Sequence, residues 1–195
     1  MNDFGTFFLI LISISVFYVY LENKAADVTY VKHKKVEFLV RNLDDKEQAA
    51  KLLSDICTRL SKIIKFCFEK KVDYDKETEK GIERMKKNFN SNNVVESSPG
   101  NKFTSYSINK GEKIVFCIRS KDGLNTLVDL NTMMFVAIHE AGHLMTESVG
   151  HDQSFWDNMR FLLQESMKIE IYEKQDFINN PVDYCGTVIN DTPLK

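Results

Sequence analysis

Two histidines and a glutamate, in the run His139-Glu140-Ala141-Gly142-His143, have the spacing of a metal-dependent hydrolytic site. Histidines at i and i+4 lie on one face of a helix, one turn apart, so both imidazoles can reach one metal ion. Glu140 lies about 100° around the helix from His139, where it can accept a proton without binding the ion. We expect a zinc ion (Zn2+) with His139 and His143 as ligands and Glu140 as the general base.

A third ligand must come from further along the chain, because a catalytic zinc has three protein ligands and one open position. We expect His151, since Gly150 can turn the chain and bring the ring back to the helix. Glu165 on the following helix is the alternative, and Glu147 is a weaker one because it continues along the first helix. Asp152 is expected to cap the next helix or to orient a ligand.

Other candidates concern the substrate. Hydrolysis through a tetrahedral oxyanion calls for a hydrogen-bond donor, and Tyr172 and Tyr184 are candidates unless they serve only in packing. The strand predicted over Lys113–Arg119 could offer its edge to an extended peptide, or it could be interior to the sheet.

Hydrophobic periodicity predicts the elements that position these residues. The segment 131–147 is apolar around most of its circumference, which is typical of a helix in the middle of a core. Residues 90–101 have the composition of a loop, and 169–195 that of an irregular tail. The remaining predictions are helices over 44–71, 77–89 and 152–167, and strands over 36–40, 103–108 and 113–119, the last two joined by a hairpin turn.

Length and composition bound the molecule. The 195 residues are enough for one globular domain, and 43% hydrophobic and 28% charged residues exclude a disordered chain. A net charge of −2 shows no basic footprint, so no nucleic-acid partner is expected. Four cysteines without a CxxC pair exclude a disulfide framework, and we predict buried free thiols, with pairing as the alternative, at Cys57, Cys67, Cys117 and Cys185.

The segment Phe4–Leu21 contains no charged residue and predicts a membrane anchor. As a helix it would span about 27 Å at about 1.5 Å per residue, close to the ~30 Å hydrocarbon core. A cleaved signal peptide and a buried core helix are the alternatives. Lysines follow the run, which predicts a single-pass protein with a cytosolic catalytic domain in a cell or virion membrane. The predicted domains are an anchor with its flank (1–24), a tether (25–35) and a catalytic domain (36–195).

The segment HEAGHLMTESVGHDQSFW resembles the zinc-binding core of SprT-like and WLM-type metallopeptidases. The resemblance covers roughly residues 130–165, and its second and third histidines are eight positions apart, where WLM-type proteins have about six. The metzincin pattern is not met, because Thr146 and Val149 replace its glycine and third histidine. The anchor, this helix and Pro181–Gly186 are also similar to those of metallopeptidases of large DNA viruses. The matching positions are His139, Glu140, His143, His151, Asp152 and Phe155.

The predicted elements together indicate the α+β class, and the resemblance implies a zincin-like fold. We expect a small antiparallel sheet packed on the buried HExxH helix, preceded by one transmembrane helix. The expected function is that of a membrane-anchored zinc endopeptidase that acts on a protein or peptide substrate and contacts the membrane through residues 4–21. Two alternatives stay open: a non-proteolytic membrane or virion protein with a structural metal site, and a protease that acts on DNA–protein crosslinks.

Overall fold

The computed structural model describes residues 3–25 and 28–194, which form a mixed α+β structure. The four helices predicted from periodicity are present, each within two residues of its expected ends. The predicted strands are present and differ in length. The helices are α1 (Asp3–Ala25), α2 (Lys46–Glu69), α3 (Lys76–Asn88), α4 (Leu130–Met145) and α5 (Gln153–Lys168). The strands are β1 (Val28–His33), β2 (Val36–Arg41), β3 (Val94–Glu96), β4 (Tyr106–Ile108), β5 (Lys113–Phe116), β6 (Val182–Tyr184) and β7 (Thr187–Ile189).

The main sheet has five strands in the order β1-β2-β3-β5-β4, and a separate hairpin joins β6 and β7. The outer pairs are antiparallel, but β3 is parallel to both β2 and β5. The prediction of an antiparallel sheet is therefore wrong in the middle. The reason is the connection: α2 and α3 lie between β2 and β3, and a helical crossover is the usual link between parallel strands.

Strand β1 occupies the segment that was expected to be a tether. It pairs with β2 over its full length, from Val28 opposite Arg41 to His33 opposite Val36. The tight turn between the two strands has Lys34 at φ 55°. The hairpin therefore extends the sheet by one strand at the edge opposite β4.

Helix α2 lies against β1, β2 and β3, and α4 packs on α2, α3 and α5. Helix α4 is buried on almost every side, as its composition predicts, while it also contacts β4. The sheet is thus packed mainly on α2 and only at its β4 edge on the HExxH helix. This arrangement places the helix that carries the His-Glu-His motif at the β4 edge of the sheet.

Helix α1 carries the apolar run that was predicted to be an anchor. Its described side chains, at 5 and 7–18, are exposed. Within residues 3–25 and 28–194 no helix is long and apolar enough to cross a membrane. The predicted localisation as a single-pass membrane protein is therefore wrong, and the anchor and membrane contact at 4–21 lack support.

The cysteines divide into one pair and two buried thiols. Cys117 and Cys185 form a disulfide, so the prediction of four free thiols is wrong for these two. They are 68 positions apart, and only the fold brings the end of β5 beside the β6–β7 turn. Cys57 and Cys67 are free and buried as predicted, and burial raises the pKa of each thiol to about 12.

Reduction of this disulfide is expected to lower the free energy of unfolding by about 2–4 kcal/mol, because the bond closes a long loop in the unfolded chain. Urea denaturation with and without reductant measures the change. The double variant Cys117→Ser/Cys185→Ser is the control, since reductant should leave its midpoint unmoved. A wild-type midpoint that ignores reductant would contradict the expectation.

Candidate active site

Helix α4 brings three residues of the motif to one place. It begins after Asp129, whose side chain accepts a hydrogen bond from the Thr132 amide at 2.9 Å. The imidazoles of His139 and His143 lie with ring centroids 4.9 Å apart. Glu140 is 3% exposed, and its Oε2 has no hydrogen-bond partner among the described residues. A buried carboxylate oxygen without a partner is costly, so this atom indicates a site that something else completes.

His151 joins the two helical histidines, as the sequence predicts. The chain leaves α4 at Thr146 and turns back at Gly150, which has φ +96°. His151 Nε2 then lies 3.0 Å from His139 Nε2, and one nitrogen from each of the three rings lies within 4.8 Å of the others. Three imidazole nitrogens at such distances can bind a single metal ion.

Lys110 supports the connection between α4 and α5, a role that the motif does not reveal. Its Nζ donates a hydrogen bond to the Thr146 carbonyl at 2.8 Å and another to the Ser148 carbonyl. It stands in the β4–β5 turn, where Asn109 and Lys110 have φ 47° and 56°. The hairpin turn itself was predictable, and the direction of the lysine was not.

Phe155 forms the apolar backing of the three imidazoles. Its ring is stacked on His143 at 4.3 Å and meets His139 and His151 edge-on at 4.8 Å and 4.7 Å. Gly142 lies behind it, where an added Cβ would come within 3.1 Å of the Phe155 ring. The aromatic ring therefore packs against all three imidazoles and limits the size of the residue at 142.

The alternative ligands have other partners. Glu165 is buried, accepts from the Tyr74 hydroxyl at 3.1 Å and pairs with Lys168 at 2.6 Å. Glu147 is exposed and lies 3.6 Å from Arg84. The structure thus brings neither carboxylate into the group of three histidines.

Asp152 caps α5, the first of the two roles considered for it. Its carboxylate accepts from the Phe155 amide at 3.0 Å. Hydrogen bonds from Ser148, Ser154 and this amide lower the pKa of Asp152 to about 2.

The two tyrosine candidates lie in different surroundings. Tyr172 is packed against Phe135, with ring centroids 6.2 Å apart, in the core. Tyr184 lines a small cavity of about 170 Å3 together with His139 and Glu140. Its hydroxyl lies 2.6 Å from the Ser105 hydroxyl, and burial raises its pKa. Tyr184 directly precedes Cys185, and the disulfide from Cys185 to Cys117 at the end of β5 holds Tyr184 beside the site.

Burial dominates the electrostatics of the site. It lowers the pKa of His139 to about 3 and that of His143 to about 4, with His151 adding to both shifts. It raises the pKa of Glu140 to about 8, against a hydrogen bond from Ser107. Neutral imidazoles are the form that binds metal ions, and both shifts favour that form.

An open cleft of about 690 Å3 gives access to the motif. His139, Glu140, His143 and His151 line one side, and residues 104–107 with the β4–β5 turn line the other. Strand β4 is the end strand of the sheet and pairs on one side with β5. Of the two possibilities for Lys113–Arg119, the interior strand is confirmed, because β5 pairs with both β3 and β4, and β4 supplies the edge. A row of unpaired backbone groups on an edge strand can accept an extended peptide.

The metal-free protein should be most stable near pH 6.5. His139 and His143 have pKa values below their ordinary 6.5, so the unfolded chain binds more protons and stability is lost as the pH falls below 6.5. Glu140 has a raised pKa, so the folded chain holds its proton and stability is lost as the pH rises from 4.5 towards about 8. Below pH 6.5 the stability lost through the two histidines exceeds the stability gained through the one glutamate, so the net stability falls. Urea unfolding with a chelator at pH 5, 6.5 and 8 measures this, and Glu140→Gln should remove the loss at high pH. A stability that rises steadily from pH 6.5 to 8 would contradict it.

Comparison with known proteins adds family and fold to this geometry. No protein-family model matches the chain. Protein R325 of Acanthamoeba polyphaga mimivirus is 31% identical over 189 residues, which cover 95% of each chain. The chain belongs to the same family as R325. Protein 136R of Invertebrate iridescent virus 6 is 33% identical over 107 residues, or 54% of this chain and 57% of that protein. The relatives are viral, in line with the resemblance to proteins of large DNA viruses.

The fold is shared with a protein of known structure. Wss1 from Saccharomyces cerevisiae matches with a TM-score of 0.51 and 20% identity, over 69% of this chain and 88% of Wss1. A match at 20% sequence identity indicates a shared fold and carries no information about activity. The likeness supports the predicted fold class in its coarse form, an α+β structure with a small sheet.

Proposed function

We propose that this protein is a zinc-dependent endopeptidase. The observation that carries the proposal is the convergence of three imidazoles beside a buried, incompletely bonded carboxylate on an open cleft. Among residues 3–25 and 28–194, no thiolate and no fourth side chain joins these three histidines, whereas a structural zinc site usually has four protein ligands. This set of donors favours a catalytic site over a structural one.

The donor set fits a zinc ion. His139, His143 and His151 would hold it, and their neutral state suits metal binding. When bound, zinc polarises a peptide carbonyl and lowers the pKa of water to about 7. An opposite charge nearby also favours the carboxylate form of Glu140, which burial alone opposes.

The proton transfers fall to Glu140. As a carboxylate it accepts a proton from the attacking water, and it later delivers that proton to the amine that leaves. Tyr184 lines the small cavity beside Glu140 and is our candidate for a hydrogen-bond donor to the developing oxyanion. Ser105 would keep its hydroxyl in place through their hydrogen bond.

The substrate would bind as an extended peptide along β4. Tyr106 and Ser107 of this strand line the cleft opposite the three histidines. Main-chain hydrogen bonds to an edge strand recognise a peptide without regard to its sequence. A protein segment that is unfolded or flexible is therefore the substrate that fits.

We further propose that a protein joined covalently to DNA is the preferred class of substrate. The motif resembles that of SprT-like and WLM-type peptidases, which raised this class from the sequence. The likeness of fold to Wss1 supports it over a substrate held at a membrane. The net charge of −2 gives no independent support for DNA binding, so this proposal rests on the motif and on the fold.

The test compares one flexible protein substrate in free form and linked to single-stranded DNA. We expect zinc-loaded enzyme to fragment both, faster by at least about tenfold when the DNA is attached, and a chelator to stop both reactions. Equal rates on the free and the DNA-linked substrate would contradict the preference for DNA-linked proteins and would indicate a general endopeptidase. No cleavage by a chain that carries one zinc would favour the non-proteolytic alternative with a structural metal.

A further inference from the structure

A second cavity opens beside the three histidines and is separate from the cleft. It has a volume of about 460 Å3 and shares only His139 with the cleft. We call it the Trp156 cavity. Its walls are Phe135, Trp156, Met159, Arg160, Gln153 and the segment 191–193.

The interior of the Trp156 cavity is apolar and aromatic. Phe135 and Met159 are 7% and 1% exposed and form buried wall, while Trp156 is 37% exposed. Arg160 is the basic residue of the lining, but its guanidinium is already engaged. Its Nε donates to the Pro193 carbonyl at 2.9 Å, and its Nη1 contacts an Asp157 oxygen at 2.8 Å. A ligand in this cavity would therefore meet mainly apolar surface and ring faces, while Gln153, Asp191 and Thr192 are the uncharged or acidic polar residues of the lining.

The cavity adjoins the candidate metal site. His139 borders it directly, and the Trp156 ring is stacked on the His151 ring with centroids 5.6 Å apart. Along an extended peptide successive residues are about 3.3 Å apart. A peptide whose reacting carbonyl lies at the three histidines can therefore place an adjacent side chain in the Trp156 cavity.

We infer that the Trp156 cavity binds a large apolar or aromatic side chain of the substrate, next to the bond that is cleaved. The inference rests on the proposed endopeptidase function and adds sequence preference to it. Backbone pairing along β4 would supply affinity for any extended chain, and this cavity would choose where that chain is cut. Discrimination by an apolar pocket amounts to about 10–200-fold per methylene group, so a marked preference is expected.

Binding can be tested without hydrolysis, because Trp156 is the single tryptophan of the chain. The zinc-loaded full-length Glu140→Gln variant is titrated with blocked peptides that carry Phe, Ala or Asp at one position and are otherwise identical. We expect a saturable change in tryptophan fluorescence with the Phe peptide, at least about tenfold tighter than with Ala. Equal affinities, or tighter binding of the Asp peptide, would overturn the inference.

Cleavage provides the second test, with a matched pair of variants. Gln153 is exposed at the mouth of the cavity, so Gln153→Phe narrows the cavity and leaves the core intact. It should lower the ratio of Phe- to Ala-peptide cleavage by at least about tenfold. Ser98→Phe makes a similar insertion at another exposed position, in the cavity beside Arg119, and should leave the ratio unchanged.

The two hypotheses fail differently. If wild-type enzyme cleaves no peptide, the proposed function is wrong, and the fluorescence titration still decides whether the cavity binds an apolar side chain. If wild-type enzyme cleaves Phe and Ala peptides equally well, the function stands and the pocket assignment is wrong.

Discussion

Glu140→Gln is expected to lower the rate of peptide hydrolysis by about 10²–10⁴-fold, the usual contribution of a general base. The amide has the shape of the carboxylate but cannot accept the proton of the attacking water. Zinc content should stay at one per chain, because Glu140 is not one of the three converging histidines. The measurement is kcat on a defined peptide together with metal analysis of the same sample.

Glu147→Gln is the matched control for this variant. It makes the same chemical change at an exposed position just beyond α4, where the carboxylate lies 3.6 Å from Arg84. We expect its activity to stay within about twofold of wild type, since exposed ion pairs contribute little. Substantial proteolysis by zinc-loaded Glu140→Gln would remove Glu140 from the role of base.

His151→Ala is expected to weaken zinc binding by more than about 100-fold. Loss of a residue that only orients a ligand typically costs about 10–100-fold in metal affinity, so loss of a ligand should cost more. The His151 ring also lies against Trp156, and its removal should change the tryptophan emission. Competition with a chromophoric chelator measures the zinc affinity.

His33→Ala is the control for metal binding. His33 is the one histidine outside the group, in β1, and pairs with Val36 across the hairpin. Its removal should leave zinc affinity unchanged. Glu165→Gln distinguishes the alternative ligand: a loss of zinc affinity there, with His151→Ala unaffected, would overturn the assignment of His151.

Local patterns predicted the parts of the structure that local physics determines. The HExxH helix was predictable from its apolar composition, and the return of His151 followed from Gly150, which adopts the positive φ that glycine tolerates. The cap at Asp152 likewise follows from short-range hydrogen bonds. The fold class needed no more than these elements in order.

The elements that the sequence did not predict depend on contacts with residues far away in the chain. Strand β3 has three residues within an Asn-rich segment, and it is a strand because β2 and β5 lie on either side of it. The β6–β7 hairpin is similarly short, and the Cys117–Cys185 pairing has no local signal at a separation of 68. These long-range contacts complete the wall that carries Tyr184.

The contact between Gly142 and Phe155 has a consequence for how the motif varies among relatives. The two positions between Glu140 and His143 are usually regarded as interchangeable, but at 142 a methyl group would come within 3.1 Å of the Phe155 ring. Alanine is the better helix former by about 1 kcal/mol, so the glycine at 142 is explained by the space that the Phe155 ring occupies and not by helix propensity. The two sites should therefore covary: members of the family with a larger residue at 142 should have a smaller side chain at 155, and a different support for their histidines.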